Sequence, residues 1–166
     1  MIVSRTPFRV SFFGGGTDYP AWYSKNGGAV LATSIDKYCY ISCRKLPPFF
    51  PHKHRIVYSI IESVTKNKEI KHPVVREVFE WMRVSEGLEV HHDGDIPARS
   101  GLGSSSSFTV GLLNALYANL GTIVSKERLA KEATFVEQEL VGDYVGEQSE
   151  SKHFHIHKCS DGRWQG

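Results

Sequence analysis

The sequence predicts an α+β domain in which helices cover a β-sheet. Strand-like apolar runs recur through the first half of the chain, for example in residues 2–13 and 87–92. Apolar residues at helical spacing follow in residues 73–82, 108–120 and 125–142. The chain has 166 residues, of which 40% are hydrophobic, so it is about the size of one domain and can bury a core.

The overall composition favours a protein of the cytoplasm. A net charge of +2 is too small to indicate nucleic-acid binding by itself. No apolar run approaches the roughly 18 residues of a membrane span, and residues 1–5 lack a signal-peptide pattern. Three cysteines, an odd number, argue against a disulfide framework. We therefore expect a cytoplasmic domain without a membrane segment.

The first apolar run ends in a run of glycines. Residues 2–13 predict either a strand pair or one bent strand, and residues 14–16 are all glycine, which allows a ligand to approach the backbone closely. Thr17 and Asp18 then place a hydroxyl and a carboxylate at the rim, and a carboxylate suits the vicinal hydroxyls of a sugar. The alternative is a simple glycine turn with Asp18 capping the short helix that follows.

The next segment, residues 28–44, predicts two strands joined by a hairpin at Asp36 and Lys37. Cys39 and Cys43 lie on the second of these strands, and we expect them to pack as small hydrophobes. On local grounds Asp36 and Lys37 are ordinary charged turn residues.

Residues 44–55 differ in character from the strands around them. They contain three prolines, which exclude a central strand, and six basic or potentially basic groups. Such a loop either closes over an anionic substrate or is simply solvated, and the residues leave both interpretations open. Residues 56–61 then predict a further short strand, and Pro73 is suited to open a helix.

Residues 97–107 form a glycine- and serine-rich turn between a strand and a helix. Gly101 and Gly103 remove side chains that would hold a ligand away from the backbone. The serines that follow stand at a helix start, where the amides are unpaired and the helix dipole is positive. Such a turn binds phosphate. A flexible linker is the alternative, but a linker does not lead directly into an amphipathic helix.

Two helices follow this turn. In the first, residues 108–120, one apolar face is predicted, made of Phe108, Leu112, Ala115, Leu116 and Leu120. Ser125 caps the second, Leu129, Ala133, Val136 and Leu140 line its buried side, and Gly142 ends it. Glu137 lies at the edge of that apolar side, where a glutamate is usually solvated.

The glycine turn does not fit either of the two commonest nucleotide-binding loops, since it lacks their glycine spacing and no lysine follows Gly103. It resembles instead the ATP-phosphate motif of the GHMP kinases (galactokinase, homoserine kinase, mevalonate kinase and phosphomevalonate kinase). Residues 5–19 are similar to the first motif of the same family, which binds the phosphoacceptor. Together, residues 8–20 and 91–107 look most like the branch that phosphorylates D-glycero-D-manno-heptose 7-phosphate.

The resemblance implies the fold and the cofactors. It implies that residues 1–148 form the N-terminal lobe of these kinases, a mixed sheet covered by helices. The fold of this lobe is like that of ribosomal-protein domain 2. The resemblance also implies ATP and Mg²⁺ as cofactors and a sugar or sugar phosphate as the second substrate. The reaction would be transfer of the γ-phosphoryl group to an anomeric hydroxyl, leading to nucleotide-activated heptose.

The resemblance also implies roles for individual residues. Those expected to hold the ATP phosphates are Pro97, Arg99, Gly101, Leu102, Gly103, Ser104, Ser105 and Ser106. Those expected on the substrate side are Arg5, Arg9, Gly16, Thr17, Asp18, Asp36 and Lys37. Ser105 and Glu137 are expected to bind Mg²⁺.

The resemblance ends near residue 148. Where the galactokinase branch has its catalytic aspartate, this sequence has Ser149, and a serine cannot accept a proton from a sugar hydroxyl as a carboxylate can. Residues 149–166 form a divergent tail, and the C-terminal lobe of the family is expected to be absent. The sequence therefore predicts a weak or inactive kinase. The alternatives are a nucleotide- or sugar-binding module without turnover and, less favoured, an RNA-binding domain. Nothing in the sequence indicates the oligomeric state.

Overall fold

The computed structural model describes residues 1–17, 19–98, 100–142, 155–160 and 163–165. Its strands are β1 (Ile2–Phe13), β2 (Gly28–Lys45), β3 (His54–Val57), β4 (Ile61–Val64), β5 (Leu88–Gly94), β6 (His155–Ser160) and β7 (Arg163–Gln165). Its α-helices are α1 (Pro20–Asn26), α2 (Pro73–Trp81), α3 (Ser104–Asn119) and α4 (Lys126–Phe135). In this part of the chain no helix is both long enough and apolar enough to cross a membrane.

The described strands form one seven-stranded mixed sheet organised around β2. The order is β4-β3-β5-β2-β6-β7, and β1 pairs with the other side of β2. The second half of β2 pairs with β5 and its first half with β6. The pairing of β3 with β5 is parallel, and the remaining pairings are antiparallel. This mixed sheet with helices confirms the predicted α+β class.

Strand β1 is one bent strand, which was one of the two predicted possibilities. Its register against β2 shifts between Pro7 and Arg9 and again between Ser11 and Phe13. Pro7 is tolerated because β1 has β2 as its only partner in the described residues, and proline occurs in sheets mainly at edges and bulges. The shifts bend the strand end that leads into the glycine run.

The predicted hairpin at Asp36 and Lys37 is wrong, because β2 is continuous through both residues. Pro7 lies opposite Tyr38 and Arg9 opposite Ser34, so residues 35–37 of β2 together face Phe8 alone. This bulge leaves both charged side chains exposed. A bulge and a tight turn favour the same polar residues, which explains why the local sequence resembled a hairpin.

Helix α3 is the centre of the fold. It begins at Ser104, earlier than predicted, and is buried on nearly all sides instead of one face. It packs on β1 and β2 and against α4, and a Cβ on Gly111 would lie 3.1 Å from both Ile41 and Thr6. Leu120, predicted to belong to the buried face, is 64% exposed. The core therefore forms around α3, with the buried Cys39 and Cys43 of β2 among its members as predicted.

The second predicted helix begins and ends where the sequence indicated, but its geometry changes after α4. The Ser125 hydroxyl accepts a hydrogen bond from the Arg128 amide at 3.2 Å, which caps the start. After Phe135 the chain continues as a π-helical turn, Val136–Val141. This turn is terminated by Gly142, which has φ 80°. Such wide turns are rare and occur often at functional sites.

Candidate active site

The turn before α3 is attached to β1 by its backbone. The Arg9 amide donates a hydrogen bond to the Leu102 carbonyl at 3.1 Å. Gly101 and Gly103 have φ of 76° and 73°, values that glycine adopts at little cost. Gly103 occupies the N-cap position of α3 and, as a glycine, provides no capping side chain. The two glycines therefore allow the chain to leave the sheet and start the helix within a few residues.

The amides at this helix start are available to a ligand. Gly103 offers no side chain as a cap, in contrast to Ser125 of α4. The Ser107 amide donates to the Gly103 carbonyl at 2.9 Å. Within the described residues, the amides of 101–103, 105 and 106 donate no hydrogen bond. Unpaired N–H groups and the positive end of the helix dipole make this an anion-binding geometry.

Glu137 lies directly beside this helix start. Its side chain is 0% exposed, although glutamates are almost never fully buried without partners. Oε1 accepts hydrogen bonds from the hydroxyls of Ser105 at 3.0 Å and Thr109 at 2.8 Å. Oε2 accepts from the Ser106 hydroxyl at 3.1 Å. The expectation that a glutamate here would be solvated on local grounds is wrong, because packing of the π-helical turn against α3 buries it.

The glycine run after β1 forms a tight turn held against β2. Gly14 has φ 87°, and a Cβ there would lie only 1.9 Å from the Ala29 carbonyl oxygen. The Thr17 hydroxyl lies 2.8 Å from the Gly14 carbonyl oxygen and accepts from the Ala29 amide at 3.2 Å. Gly16 has open space where a side chain would be. Thr17 therefore holds the turn in place, and Gly16 is the point at which the backbone can be approached.

The two candidate arginines lie in different environments. The Arg9 side chain packs over the glycine turn, with its Cγ 3.1 Å from the position of a Cβ on Gly103. Arg5 is exposed, and its guanidinium lies 3.9 Å from the centre of the Tyr38 ring. Its neighbours Ser4 and Thr6 face Gly111 of α3, so Arg5 lies on the opposite face of the sheet. The structure thus brings Arg9, but not Arg5, to the glycine turn.

Other candidates are less closely connected to this centre. Pro97 is exposed at the start of the turn, and Ser104 is the first residue of α3. Asp36 and Lys37 are exposed in the bulge of β2 beside Phe8. Three predicted residues, Asp18, Arg99 and Ser149, lie outside the described residues. The N-cap position of α1 is occupied by Tyr19, whose side chain makes no capping hydrogen bond.

The sequence reasoning missed Thr109 and an aromatic cluster behind the turn. Thr109 follows Ser105 by one helical turn, so the spacing could have indicated that both face Glu137. Phe108 stacks on His72 at 4.7 Å and contacts His92 edge-on at 5.0 Å. Burial lowers the pKa of both histidines, so the cluster is uncharged near neutral pH. It supports the second turn of α3 with flat apolar surfaces.

Residues 62–147, just over half of the chain, match the family model described as the GHMP kinases N terminal domain. This protein belongs to the GHMP kinases. The matched segment contains α2, β5, the glycine turn, α3 and α4, and therefore the anion-binding helix start and Glu137. The predicted family and its fold are confirmed.

Two curated proteins similar to this GHMP kinase chain are a heptose phosphate kinase and a galactokinase. The chain is 28% identical over 158 residues to the D-glycero-alpha-D-manno-heptose 7-phosphate kinase of Campylobacter jejuni, covering 90% of this chain and 47% of that protein. It is 31% identical over 152 residues to the galactokinase of Pyrococcus furiosus, covering 85% and 40%. The chain thus spans about half the length, or less, of these two curated relatives.

The fold is shared with a solved structure. The crystal structure of a D-glycero-D-manno-heptose 1-phosphate kinase from Bacteroides thetaiotaomicron superposes with a TM-score of 0.80 at 20% identity. The superposition covers 95% of this chain and 56% of that chain. At this identity the likeness shows the fold alone.

Proposed function

We propose that residues 1–148 are the ATP-binding lobe of a sugar kinase that transfers the γ-phosphoryl group of ATP to the anomeric hydroxyl of heptose 7-phosphate. The observation that carries the proposal is the uncapped start of α3, whose bond-free amides lie beside the buried carboxylate of Glu137. An anion site next to a carboxylate is unfavourable unless a cation lies between them. A nucleotide phosphate chain with a divalent metal supplies both parts.

The phosphate chain would lie along the glycine turn. The amides of residues 101–105 would donate to its oxygens, and among the described residues nothing beyond its chain neighbours comes within 4 Å of a Cβ placed on Gly101, which leaves room for them. Arg9 carries a guanidinium over the same turn and would offset phosphate charge. Phosphoryl transfer depends mainly on such positioning and charge neutralisation. Pro97, Arg99 and Ser104 complete the proposed binding segment.

The donor atoms at α3 fit Mg²⁺. The Ser105 hydroxyl and the Glu137 carboxylate are 3.0 Å apart, and Mg²⁺ prefers oxygen ligands, commonly one or two carboxylates together with substrate phosphates. Ser105 is exposed, so its hydroxyl can turn from Glu137 towards a ligand in solvent. When bound, the ion neutralises charge on the phosphate oxygens. The protein contributes the two oxygens.

The sugar would be held at the glycine run. Gly16 offers an open backbone approach, and Thr17 fixes the turn. We propose Asp18 as the residue that accepts hydrogen bonds from sugar hydroxyls. Arg5, Asp36 and Lys37 are proposed contacts to the rest of the substrate. The choice of heptose 7-phosphate is supported by the Campylobacter relative, whereas the galactokinase relative supports a sugar more generally.

The base that would accept the sugar proton is missing at the expected position, which Ser149 occupies. We therefore propose that the chain binds both substrates but transfers phosphate slowly. This observation favours one second candidate, a nucleotide- and sugar-binding module without turnover. An RNA-binding role is less favoured, because Arg44 and Arg55 pair with Glu89 and Lys45 pairs with Glu86. We place the protein in the cytoplasm, where ATP is available.

Calorimetry with Mg-ATP, followed by heptose 7-phosphate, tests the proposal. We expect saturable binding of both ligands and slow release of ADP, which Ser149→Asp should increase. ATP binding without transfer by either form would favour the binding module. Absence of any ATP binding would overturn the proposal, and an ordinary kinase rate in the unchanged chain would show that Ser149 does not replace an essential base.

A further inference from the structure

Glu137 is bound by more hydroxyls than a pair of metal ligands requires. Ser105 is exposed and can turn to a ligand, but Thr109 and Ser106 are buried and cannot. Thr109 donates to Oε1 and Ser106 to Oε2, so each carboxylate oxygen keeps one buried donor even if Ser105 turns away. Two donors on different oxygens define the plane of a carboxylate, whereas one donor would allow it to rotate.

The Thr109 hydroxyl has one proton and two acceptors within reach. It lies 3.1 Å from the Ser105 carbonyl oxygen and 2.8 Å from Glu137 Oε1. The shorter contact is to the carboxylate, and hydrogen bonds to ionised groups are the stronger ones. A β-branched side chain in a helix has few χ1 rotamers, so the hydroxyl is held at this position. Thr109 is therefore a stiff donor directed at Oε1.

We propose that Thr109, assisted by Ser106, is a positioning residue that orients the Glu137 carboxylate for a divalent cation held with the phosphates of a nucleotide. The proposal rests on the proposed function of this site. Both residues act through Glu137 and touch neither the cation nor the nucleotide. Groups that orient a metal ligand typically change metal affinity by about 10- to 100-fold when removed.

The test is a titration of Mn²⁺, followed by electron paramagnetic resonance, into the full chain saturated with ATP. Thr109→Val keeps the shape and removes the hydroxyl, and we expect it to weaken Mn²⁺ binding by about tenfold or more. Thr109→Ser should restore most of the affinity. ATP binding in the presence of EDTA, measured by calorimetry, should be the same in all three proteins.

Thr134→Val is the matched control. Thr134 also donates to the carbonyl four residues earlier, Ala130 at 3.1 Å, and within the described part of the chain its hydroxyl does not bond to Glu137. It should leave the Mn²⁺ affinity unchanged. If Thr109→Val does not fold, Ser106→Ala decides the question in the same titration, because its hydroxyl binds the other carboxylate oxygen.

The outcomes separate the two proposals. Suppose that the unchanged protein binds Mn²⁺ with ATP. If Thr109→Val then has the same Mn²⁺ affinity, the positioning role is overturned and the proposed function stands. Where Ser106→Ala replaces that variant, the same result leads to the same conclusion. A variant that is less stable but has unchanged Mn²⁺ affinity leads to the same conclusion, since the hydroxyls would then only satisfy a buried carboxylate. If the unchanged protein does not bind Mn²⁺ with ATP, the proposed function fails, and the positioning role fails with it.

Discussion

The Ser105 hydroxyl lies 3.0 Å from Glu137 Oε1, although the two residues are 32 positions apart in the chain. One belongs to the first turn of α3 and the other to the π-helical turn after α4. The contact joins the amide-lined helix start to a buried carboxylate. It provides an oxygen pair beside the place where a phosphate chain would bind.

Replacement of Ser105 by alanine should weaken Mg-ATP binding by about tenfold and leave ATP binding in EDTA unchanged. Calorimetry with and without Mg²⁺ measures both. Ser107→Ala is the matched control within the same serine run, because the Ser107 hydroxyl donates to the Pro7 carbonyl at 3.0 Å. It should cost about 1 kcal/mol of unfolding free energy without affecting the metal dependence. Equal metal dependence in all three proteins would contradict a ligand role for Ser105.

Two glycines of the run after β1 should respond very differently to alanine. Gly14 has φ 87° and a Cβ there would collide with the Ala29 carbonyl oxygen at 1.9 Å, whereas a Cβ on Gly16 would meet no described atom within 4 Å beyond its chain neighbours. We expect Gly14→Ala to lower the unfolding free energy by about 3 kcal/mol, from left-handed strain plus overpacking. Gly16→Ala should change it by less than about 0.5 kcal/mol but weaken sugar binding. Urea denaturation and sugar titration check the pair, and similar losses of stability would show that the turn is not held as described.

Gly101 and Gly121 lie just beyond the two ends of α3 and have nearly the same positive φ. Their φ values are 76° and 72°, and both have open space at the Cβ position. Alanine at either site should therefore lower the unfolding free energy by a similar amount, roughly 1–2 kcal/mol. Only Gly101→Ala should also weaken ATP binding, because its methyl group would occupy the space proposed for phosphate. If the two variants bind ATP equally well, the phosphates do not lie along this turn.

Stability should fall in mild acid because of His54. This side chain is fully buried, and its Nδ1 accepts a hydrogen bond from the Leu88 amide at 3.3 Å. Burial, together with the charge of Lys53, lowers its pKa from 6.5 to about 4. The folded protein therefore favours the neutral imidazole. The contribution of His54 to the unfolding free energy is complete above pH 6.5 and is lost as the pH falls towards 4.

The loss from His54 should reach about 3 kcal/mol of unfolding free energy at low pH. Urea denaturation between pH 7 and pH 4 measures it. His72 and His92 have pKa values lowered by burial and act in the same direction. His54→Gln removes one titrating group, so its unfolding free energy should fall less over this interval. A variant with the same pH dependence as the unchanged protein would show that protonation of His54 is not coupled to unfolding.

The features that could be predicted from the sequence are those decided by neighbouring residues. Gly101 and Gly103 before a serine run indicated a phosphate-binding helix start, and α3 does begin there with a left-handed glycine. Ser125 and Gly142 correctly marked the two ends of the second helix, because capping depends on residues within one turn. Cys39 and Cys43 were correctly assigned to the core.

The features that could not be predicted depend on contacts far apart in the chain. Asp36 and Lys37 looked like a hairpin, and only pairing with β1 shows a continuous strand with a bulge. Helix α3 looked amphipathic, but it is covered both by the sheet and by α4. The Thr17 hydroxyl looked free for a ligand, and it is held by the backbone of Gly14 and Ala29.

The sequence by itself determined the glycine turn, the helix start behind it and the family to which both point, because these depend on backbone conformation and amide exposure within a few residues. Tertiary structure alone decided that Glu137 is buried and that Ser106 and Thr109 hold its two oxygens. Burial of a charge is a property of packing between elements, so no local pattern could determine which donors would surround this carboxylate.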